Sequence, residues 1–474
     1  MKEMLPAGPQ SAAARYILQR LRECGYEAYL AGGCVRDLLL RREPKDYDVA
    51  TSATPDIVLD LFPRTFAVGA HFGVVLVSME IDSQPTLTEV ATFRSDGAYS
   101  DGRHPDAVRY TTSAEKDVQR RDFTINGLLL NPQTNAGAPR LDSETSETPK
   151  PEIKSIRPFV LDYVGGLIDL EAGVLRAIGD PVRRFEEDHL RMLRAVRFAS
   201  RFEFEIDPAT QAAMRTLAPK IEAVSRERVR DELTRMLTEG HARRAFELLD
   251  STGLLAQVLP EVAKLKGVEQ PPQYHPEGDV WIHTLMLLAQ LEPGAPTTLA
   301  WGALLHDIGK PATFTAPTSP GDRIRFNGHV EVGVRIAAEI CRRLRFSNDE
   351  TTQILALVEN HMRFADTQRM KAATLKRFFR LDRFLEHLAL HRMDCLASGG
   401  YLGHWQFAKD RYETMPSEEV HPKPLLTGRE LIAAGYSPGP SFKAILHTVE
   451  EAQLEGSIHT PEEALAFVHE HFSG

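Results

Sequence analysis

Three carboxylates near the N-terminus have the types and spacing of a metal-binding site. Asp46 and Asp48 are one residue apart in the run KDYDVAT, and Glu89 lies in a second β-branched run, LTEVATF. Side chains alternate along a strand, so Asp46 and Asp48 are expected on one face, where they repel each other unless a cation lies between them. Carboxylate oxygens suit Mg²⁺, and a pair of these ions can hold a triphosphate and activate an attacking hydroxyl. These residues predict nucleotidyl transfer, although an isolated Asp-x-Asp is more often two solvated side chains.

A Gly-Gly pair precedes the first two acids in EAYLAGGCVRDLLL, which is typical of a strand, a turn and a helix. Glycines at such a turn let a phosphate approach the backbone, and the start of the helix offers free amide groups. We therefore predict that Gly32, Gly33 and Arg36 bind the nucleotide. The order of this turn, a paired-Asp strand and a further acidic strand favours that interpretation over an ordinary turn.

The C-terminal half carries imidazole and carboxylate groups suited to a transition metal. His283 lies in DVWIHTL, His306 and Asp307 are adjacent in LLHDIGK, and Asp394 lies in HRMDCLAS. Nitrogen and oxygen ligands together favour ions such as Ni²⁺ or Mn²⁺, whereas the oxygen-only acids near the N-terminus favour Mg²⁺. We predict a second metal site at these four residues. Two more histidines are additional candidate ligands: His329 and His361.

The elements that must position these residues differ between the two halves. Residues from about 11 to 130 mix amphipathic segments with β-branched ones such as FGVVLVSMEI, and a polar stretch follows. From Gly166 onward the pattern is almost wholly helical, and Leu190, Leu193 and Val196 are spaced for one helix face. The predicted fold class is α+β, with a small mixed-sheet head and a mostly helical remainder.

Composition limits the protein class. The chain has 474 residues and a net charge of −10, and no apolar run approaches the roughly 20 residues that span a bilayer. The four cysteines are scattered, which predicts reduced thiols and a cytoplasmic location. The acidic total disfavours a general nucleic-acid binder, but it leaves room for a local basic groove.

Several segments, in order, resemble the class II tRNA nucleotidyltransferase and poly(A) polymerase family. The stretch from GGCVRDLLL to KDYDVAT is similar to its signature, in which paired aspartates bind the catalytic metals. RRDFTINGLLLNP matches a motif whose Arg-Asp pair contacts the ribose, so the resemblance assigns this role to Arg121 and Asp122. FRSDGAYSDGRHPDAV is similar to a flexible loop, and DYVGGLIDLEAGVLRAIGDP to a hinge between head and neck.

The segment EEDHLRMLRAVRFASRFEFEID is similar to the family motif that selects the base. Asp188 and Arg191 are three residues apart and are expected on one helix face, with Arg194 also near the nucleotide. A carboxylate accepts hydrogen bonds and a guanidinium donates them, so the pair can recognise C or A without a template. The alternative is an intrahelical salt bridge, worth roughly a few tenths of a kcal/mol.

The resemblance implies a tRNA nucleotidyltransferase that adds or repairs the 3′-terminal CCA from CTP and ATP. The segment FAVGAHFGVVLVSME lacks extra basic residues, which disfavours a poly(A) polymerase, and the loop looks complete, which disfavours a CC-adding or A-adding partial enzyme. A different class also stays open, a nucleic-acid-binding helical protein with a decayed head. Intact acids in the head favour the enzyme. The oligomeric state stays unpredicted.

The order His, His-Asp, Asp resembles the HD phosphohydrolase superfamily and implies an additional phosphodiesterase or phosphatase activity. Alternatives are a relic helical domain that packs its histidines and helps to hold tRNA, or an activity on a nucleotide signal unrelated to RNA. Phosphate contacts to the tRNA acceptor stem are predicted from a dense set of helical arginines. The candidates are Arg197, Arg201, Arg228 and Arg230.

The predicted domains follow from these segments. They are a head at 1–160 with a polar insertion at about 133–155, a helical neck and body at 161–265, an HD domain at 266–400 and a helical tail at 401–474.

Overall fold

The computed structural model describes residues 5–67, 73–81, 83–96, 108–132, 156–273, 275–276, 278–319 and 321–472. The polar insertion and most of the predicted flexible loop lie outside these residues. The chain divides into two compact units, Met1–Met236 with Arg244–Val258 and Leu237–Arg243 with Leu259–Gly474. The four-part division stays a prediction.

A mixed sheet organises the first unit. The strands are β1 (Ala28–Ala31), β2 (Val49–Thr51), β3 (Thr65–Phe66), β4 (Val74–Ile81), β5 (Gln84–Thr92), β6 (Arg94–Asp96), β7 (Val108–Tyr110), β8 (Leu128–Leu130), β9 (Val160–Asp162), β10 (Val174–Leu175) and β11 (Glu205–Ile206). The main sheet has the order β3-β4-β5-β2-β1-β8-β9, and β6-β7 and β10-β11 form separate pairs. β2 and β5 run parallel, whereas the other neighbours in the main sheet are antiparallel. The predicted mixed sheet is confirmed, with β2 in its interior.

Helices make up most of the remaining elements. They are α1 (Pro9–Glu23), α2 (Gly33–Leu39), α3 (Pro55–Leu61), α4 (Ala114–Gln119), α5 (Gly166–Ala172), α6 (Pro181–Glu187), α7 (Leu190–Phe202), α8 (Pro208–Leu217), α9 (Arg226–Thr238), α10 (Ala242–Ser251), α11 (Leu254–Val258), α12 (Pro260–Ala263), α13 (Val280–Leu288), α14 (Thr297–Leu305), α15 (Lys310–Thr313), α16 (His329–Arg343), α17 (Asn348–Asn360), α18 (Ala372–Phe379), α19 (Phe384–Ala397), α20 (Gly403–Thr414), α21 (Ser417–Val420), α22 (Gly428–Ala433), α23 (Ser441–Glu455) and α24 (Pro461–His471). Short 3-10 helices are Thr124–Asn126, Arg157–Phe159, Ala218–Ala223 and His361–Arg369.

Two helices show why the sequence folds this way in the first unit. α1 has a proline in its first turn and buries Ile17, Leu18 and Leu21 on one face, which packs against β1, β2, β4 and β5. The predicted apolar face of α7 is confirmed, because its Leu193 and Val196 are fully buried. These packed faces hold the sheet and the helix that follows the hinge segment in fixed positions.

The second unit is built from helices. α14 packs against α13, α17 and α19, and α16 packs against α17. An aromatic cluster that includes Phe364, Phe378 and Phe384 forms a further core, and Leu431, Ile445 and others form a separate C-terminal one. The mostly helical remainder is therefore confirmed. Within the described ranges, the helices are all too short or too polar to cross a membrane.

Candidate functional site

The Gly-Gly turn lies where β1 passes into α2. Gly32 has a φ of 71°, and its N–H donates to the carbonyl of Leu128 at 3.0 Å. A Cβ atom at Gly32 would lie 2.9 Å from Nη1 of Arg121. Since L side chains rarely adopt such a φ, and the guanidinium already occupies the space, the turn requires glycine here. Gly33 begins α2, and Arg36 follows it on the same helix.

The three acids meet at the start of β2. The strand begins at Val49, so Asp46 and Asp48 precede it, which corrects the prediction that they lie within a strand. The carbonyl of Asp48 accepts a hydrogen bond from the N–H of Ala31 on β1 at 3.0 Å. The residues that precede Asp48 lie outside the sheet. Exposure still alternates, since Asp46 is exposed, Tyr47 is buried and Asp48 is half-buried. β5 places the exposed Glu89 next to the residue that pairs with Val49.

Electrostatics couples these residues to Arg121. Burial and the negative charge of Glu89 raise the pKa of Asp48 to about 6, with a smaller effect of Asp46 in the same direction and an opposing effect of Arg121. Carboxylates that repel each other in this way would ionise fully beside a divalent cation. The oxygen-only donor set therefore fits a hard ion such as Mg²⁺.

The raised pKa of Asp48 has a consequence for stability. Between about pH 4 and 6 the unfolded chain binds fewer protons at this residue than the folded protein, so the free energy of unfolding falls as pH rises through this window. In chelator-treated protein, this decrease in the free energy of unfolding is expected to be smaller in Asp48→Asn than in the wild type by on the order of 2 kcal/mol. Urea unfolding at pH 4 and pH 7.5 measures it, with the exposed Asp60→Asn as control. Identical pH responses of the wild type and Asp48→Asn would contradict the coupling.

Asp117 on α4 orients Arg121, and sequence reasoning missed it. Its Oδ1 accepts from Nε and Nη2 of Arg120 at 2.9 and 2.8 Å, and its Oδ2 accepts from Nη2 of Arg121 at 3.1 Å. Burial alone would raise the pKa of Asp117, but the two arginines hold it below its ordinary value. The available signal was the i, i+3 and i, i+4 spacing of an acid to two arginines.

Asp122 joins the loop after α4 to α7. Its Oδ2 accepts from Nε and Nη2 of Arg194 at 2.9 and 2.7 Å, and its Oδ1 accepts from Nδ2 of Asn126 at 3.0 Å and the N–H of Phe123 at 2.8 Å. Burial would raise the pKa of Asp122, but Arg194 and Asn126 hold it well below its usual range. Asn126 Oδ1 in turn accepts from Nη1 of the buried Arg36 at 2.5 Å. Thus Arg36, predicted to bind the nucleotide, lies inside this buried network.

The predicted base-reading pair does not share a helix. α7 begins at Leu190, and Asp188 precedes it with an extended backbone, so the prediction of one helix face is wrong. The carboxylate of Asp188 accepts from Nη2 of Arg228 at 2.7 Å. Arg191 bonds Glu187 and the carbonyl of Arg184 instead. The alternative, an intrahelical salt bridge between Asp188 and Arg191, is not formed either. The helix begins after Asp188, and tertiary packing gives each side chain another partner.

The four arginines predicted to contact RNA lie in different environments. Arg197 is 4% exposed, and its Nε donates to Glu232 at 2.7 Å, so almost none of its surface is accessible to a phosphate. Arg201 and Arg230 are half-exposed, and Arg228 pairs with Asp188 as described. The position of Arg197 argues against the predicted phosphate contact, whereas the other three keep accessible surface.

The predicted metal ligands of the second unit form one buried cluster. His283 Nε2 lies 3.1 Å from Asp394 Oδ1 and 3.9 Å from Asp307 Oδ2. His306 Nε2 lies 3.2 Å from the same Asp307 oxygen and 3.3 Å from His283 Nε2. The two additional candidates, His329 and His361, place their Nε2 atoms 3.8 Å from the other oxygen, Oδ1. Asp307 is therefore shared by two adjacent groups of ligands.

Backbone carbonyls orient the histidines of this cluster. The contacts are His306 Nδ1 to Ala303 O at 2.9 Å, His329 Nδ1 to Phe326 O at 2.9 Å and His361 Nδ1 to Val358 O at 2.6 Å. Such bonds direct the opposite ring nitrogen, Nε2, toward a ligand position. The buried Nε2 atoms of His329 and His361 have no hydrogen-bond partner among the described residues. Because buried polar atoms are normally satisfied, these two atoms fit a metal ion.

Charge and chain geometry also favour metal binding. Lys310 Nζ lies 2.7 Å from Asp307 Oδ2 and 2.7 Å from Gln270 Oε1. Burial would raise the pKa of Asp307, but the charge of Lys310 and the neighbouring histidines hold it well below its usual range. Burial lowers the pKa of His361 to about 4, so its ring is neutral near pH 7 and can bind a metal. A Cβ at Gly309 would lie 2.0 Å from the carbonyl of His329, so glycine allows α16 to approach the His-Asp turn.

Known protein families match segments in both halves of the chain. Family models match in three places: residues 28–176 match the Poly A polymerase head domain, 203–266 the probable RNA and SrmB-binding site of polymerase A, and 279–398 the HD domain. The CCA-adding enzyme of Levilactobacillus brevis is 31% identical over 453 residues, covering 95% of this chain and 96% of that protein. The chain belongs to the CCA-adding enzyme family.

Further members support the assignment. The CCA-adding enzyme of Limosilactobacillus fermentum is 30% identical over 456 residues, covering 96% of this chain and 95% of that protein. The crystal structure of the Bacillus stearothermophilus CCA-adding enzyme in complex with CTP matches with a TM-score of 0.70 at 26% identity, covering 98% of each chain. Membership in the CCA-adding enzyme family confirms the predicted nucleotidyltransferase, its fold class and its HD domain.

Proposed function

We propose that this family member adds C, C and A to the 3′ end of tRNA from CTP and ATP without a nucleic-acid template. The observation that carries the proposal is the position of Asp48, whose carbonyl accepts from Ala31 next to the Gly32 turn and which the pairing of β2 with β5 places beside Glu89. Acids and a guanidinium meet beside a turn where only glycine fits, which is the arrangement that a metal-bound triphosphate needs.

The residues of the head have separate roles in this proposal. Asp46, Asp48 and Glu89 would hold Mg²⁺, which when bound neutralises the triphosphate and favours ionisation of the attacking 3′-hydroxyl. The guanidinium of Arg121 lies beside the Gly32 turn, and together with Asp122 it would contact the ribose of the nucleotide. Asp117 holds Arg121 in place, as Asp122 holds Arg194.

Base selection involves Asp188, Arg191 and Arg194 in our proposal. Each already has a protein partner, so a bound base must share or displace that partner. Asp122 would contact the ribose through the network that ties it to Arg194. Phosphates of the tRNA would meet Arg201, Arg228 and Arg230, whose contacts need no sequence reading.

The test is incubation with tRNA that lacks its 3′ end. CTP alone should add two residues, CTP with ATP should add three, and ATP alone should add none to this substrate. A CC-adding enzyme would stop after two with both nucleotides present. A poly(A) polymerase would extend with ATP alone, and a protein with a decayed head would add nothing.

A prediction on fidelity follows from the separate partners of Asp188 and Arg191. Asp188→Ala or Arg191→Ala should lower the selectivity for CTP and ATP more than it lowers the reaction rate. The reason is that each lost hydrogen bond to a base edge costs roughly 1–3 kcal/mol. Incorporation of UTP and GTP relative to CTP and ATP measures the effect. Glu222→Ala, at an exposed position in the 3-10 helix Ala218–Ala223, is the control. Unchanged fidelity in both variants would assign the two side chains a structural role only.

We further propose a metal-dependent phosphohydrolase activity for the HD domain. It is supported by the two ligand groups that share Asp307 and by the Nε2 atoms of His329 and His361, which have no hydrogen-bond partner among the described residues. His283 and His306 complete the first group, and Asp394 Oδ1 lies 3.1 Å from His283 Nε2 beside it. Divalent ions such as Ni²⁺ or Mn²⁺ suit these donors and, when bound, supply a water nucleophile for phosphorus.

The chain's own residues prepare that centre. Lys310 keeps Asp307 ionised, and the carbonyl contacts hold the histidines in one tautomer. Substrates in keeping with the head are 2′,3′-cyclic phosphates and 3′-phosphates, because both block the hydroxyl that nucleotide addition needs. The predicted cytoplasmic location agrees with four free cysteines and stays part of the proposal.

A further inference from the structure

A large pocket adjoins the metal-ligand cluster of the second unit. Its volume is about 750 Å³, and Asp307, His361 and Asp394 form part of its wall. Sites of roughly 300–1,000 Å³ hold ligands of drug size, so the pocket has room for far more than one phosphate group. The additional space lies beside groups that are not metal ligands.

Two exposed apolar side chains belong to this pocket. Tyr401 is 67% exposed and Met362 is 51% exposed, and both line it. A Cβ at Gly403 would lie 2.3 Å from the hydroxyl oxygen of Tyr401, so the ring rests on the first residue of α20. The His404 ring meets it edge-on, with centroids 5.5 Å apart. Tyr401 is thus a supported aromatic surface that the protein leaves uncovered.

Cationic side chains line the same pocket. Arg323 and Arg325 are exposed, and Arg325 pairs with Asp322. Arg323 has no ion-pair partner within the described part of the chain. Lys310 is already bound to Asp307 and Gln270, so among the described lysines and arginines that line the pocket, Arg323 remains available to a ligand.

We infer that the pocket binds a nucleotide end, with its base on Tyr401 and with a second phosphate, where one is present, on Arg323. The inference rests on the proposed hydrolase activity and names its substrate class. An exposed aromatic ring can stack with any base, whereas a sugar phosphate has no base to stack on it. A guanidinium that serves no metal ligand offers a site for a phosphate other than the one that reacts.

The reaction on a 2′,3′-cyclic phosphate is balanced as follows. A water oxygen forms a bond to phosphorus, and one ribose P–O bond breaks. The released ribose oxygen takes a proton from that water. The product is a phosphate monoester with one free hydroxyl, and no oxidant or other reactant is consumed.

The experiment compares three cyclic phosphodiesters in metal-loaded protein. They are 2′,3′-cyclic AMP, a cytidine dinucleotide that ends in a 2′,3′-cyclic phosphate, and glycerol 1,2-cyclic phosphate, which lacks base and ribose. Tyr401→Ala should raise KM for the two nucleotides roughly tenfold, since stacking on an aromatic side chain contributes substantially per base. It should leave glycerol 1,2-cyclic phosphate unchanged, and Tyr401→Phe should behave as the wild type.

Arg323→Ala distinguishes a free nucleotide from an RNA end. It should raise KM several-fold for the dinucleotide, which has a second phosphate, and should not change KM for 2′,3′-cyclic AMP. Arg342→Ala, at an exposed position on α16, is the matched control. An equal effect of Arg323→Ala on both substrates would overturn the assignment of a second phosphate.

Isothermal titration calorimetry of 3′-AMP binding to chelator-treated protein gives a readout that does not need hydrolysis. Tyr401→Ala should weaken this binding, and the head contributes equally in both proteins. If the wild type hydrolyses glycerol 1,2-cyclic phosphate and 2′,3′-cyclic AMP with the same KM, and Tyr401→Ala changes neither, the inference fails while the hydrolase stands. If the wild type hydrolyses none of the three, the proposed hydrolase fails, and equal 3′-AMP binding by both proteins would overturn the pocket assignment as well.

Discussion

Asp48→Ala is expected to lower the rate of CTP and ATP addition at least about a thousandfold. The substitution removes a carboxylate that would hold Mg²⁺ at the triphosphate, and a lost metal ligand costs several kcal/mol of transition-state stabilisation. Asp46→Ala should have a similar effect, because in the proposal both acids would hold Mg²⁺. Single-turnover addition to tRNA lacking its CCA end measures the rate.

The folded state should survive these changes. Asp48 repels Glu89 and Asp46 in the absence of a cation, so replacing Asp48 lowers the electrostatic repulsion in the metal-free protein. Asp60→Ala, in an exposed position on α3, is a matched control that should keep full activity. Near-normal addition by either Asp48→Ala or Asp46→Ala would falsify the assignment of the metal site.

The second large effect concerns the HD domain. Asp307→Asn is expected to abolish metal-dependent hydrolysis of 2′,3′-cyclic nucleotides and to lower metal binding in both ligand groups, because Asp307 serves both. Asparagine is chosen because its side-chain oxygen can still accept a hydrogen bond from the buried Lys310, whereas alanine would leave this ammonium with Gln270 alone. Metal content measured by elemental analysis and hydrolysis measured on the same sample give two independent readouts.

Variants in a single group separate the two positions. His361→Ala removes a ligand from one group, and His306→Ala removes one from the other. We expect each to lower the metal content by about one ion per chain relative to the wild type. CTP addition by the head should continue in all three variants. Full metal content and full hydrolysis in Asp307→Asn would show that the site lies elsewhere.

Much of the chemistry was predictable because it depends on residue type and local spacing. Oxygen ligands at Asp46 and Asp48 and the glycine turn at Gly32 can be recognised without knowing what surrounds them. The same is true of the adjacent His306 and Asp307. Periodicity correctly placed the buried face of α7, because the spacing of Leu193 and Val196 is a property of the helix itself.

Local spacing failed where partners come from distant segments. Asp188 and Arg191 were expected on one helix face, but the backbone is still extended at Asp188 and α7 begins two residues later. Asp188 bonds Arg228 instead, 40 residues away. Arg197 looked like a surface cation until packing buried it against Glu232. A guanidinium on a helix can face solvent or a buried acid, and its own helix does not decide between them.

The sequence by itself determined which atoms were available as ligands: the acids of the head, and the imidazoles and carboxylates of the HD domain. Only the tertiary structure decided how they combine. Parallel pairing of β2 with β5 brings Glu89 to Asp48. The approach of α16 to Gly309 brings His329 Nε2 to 3.8 Å from Asp307 Oδ1. The physical reason is that ligand type is a covalent property of each residue, whereas the sharing of one carboxylate depends on the packing of elements far apart in the chain.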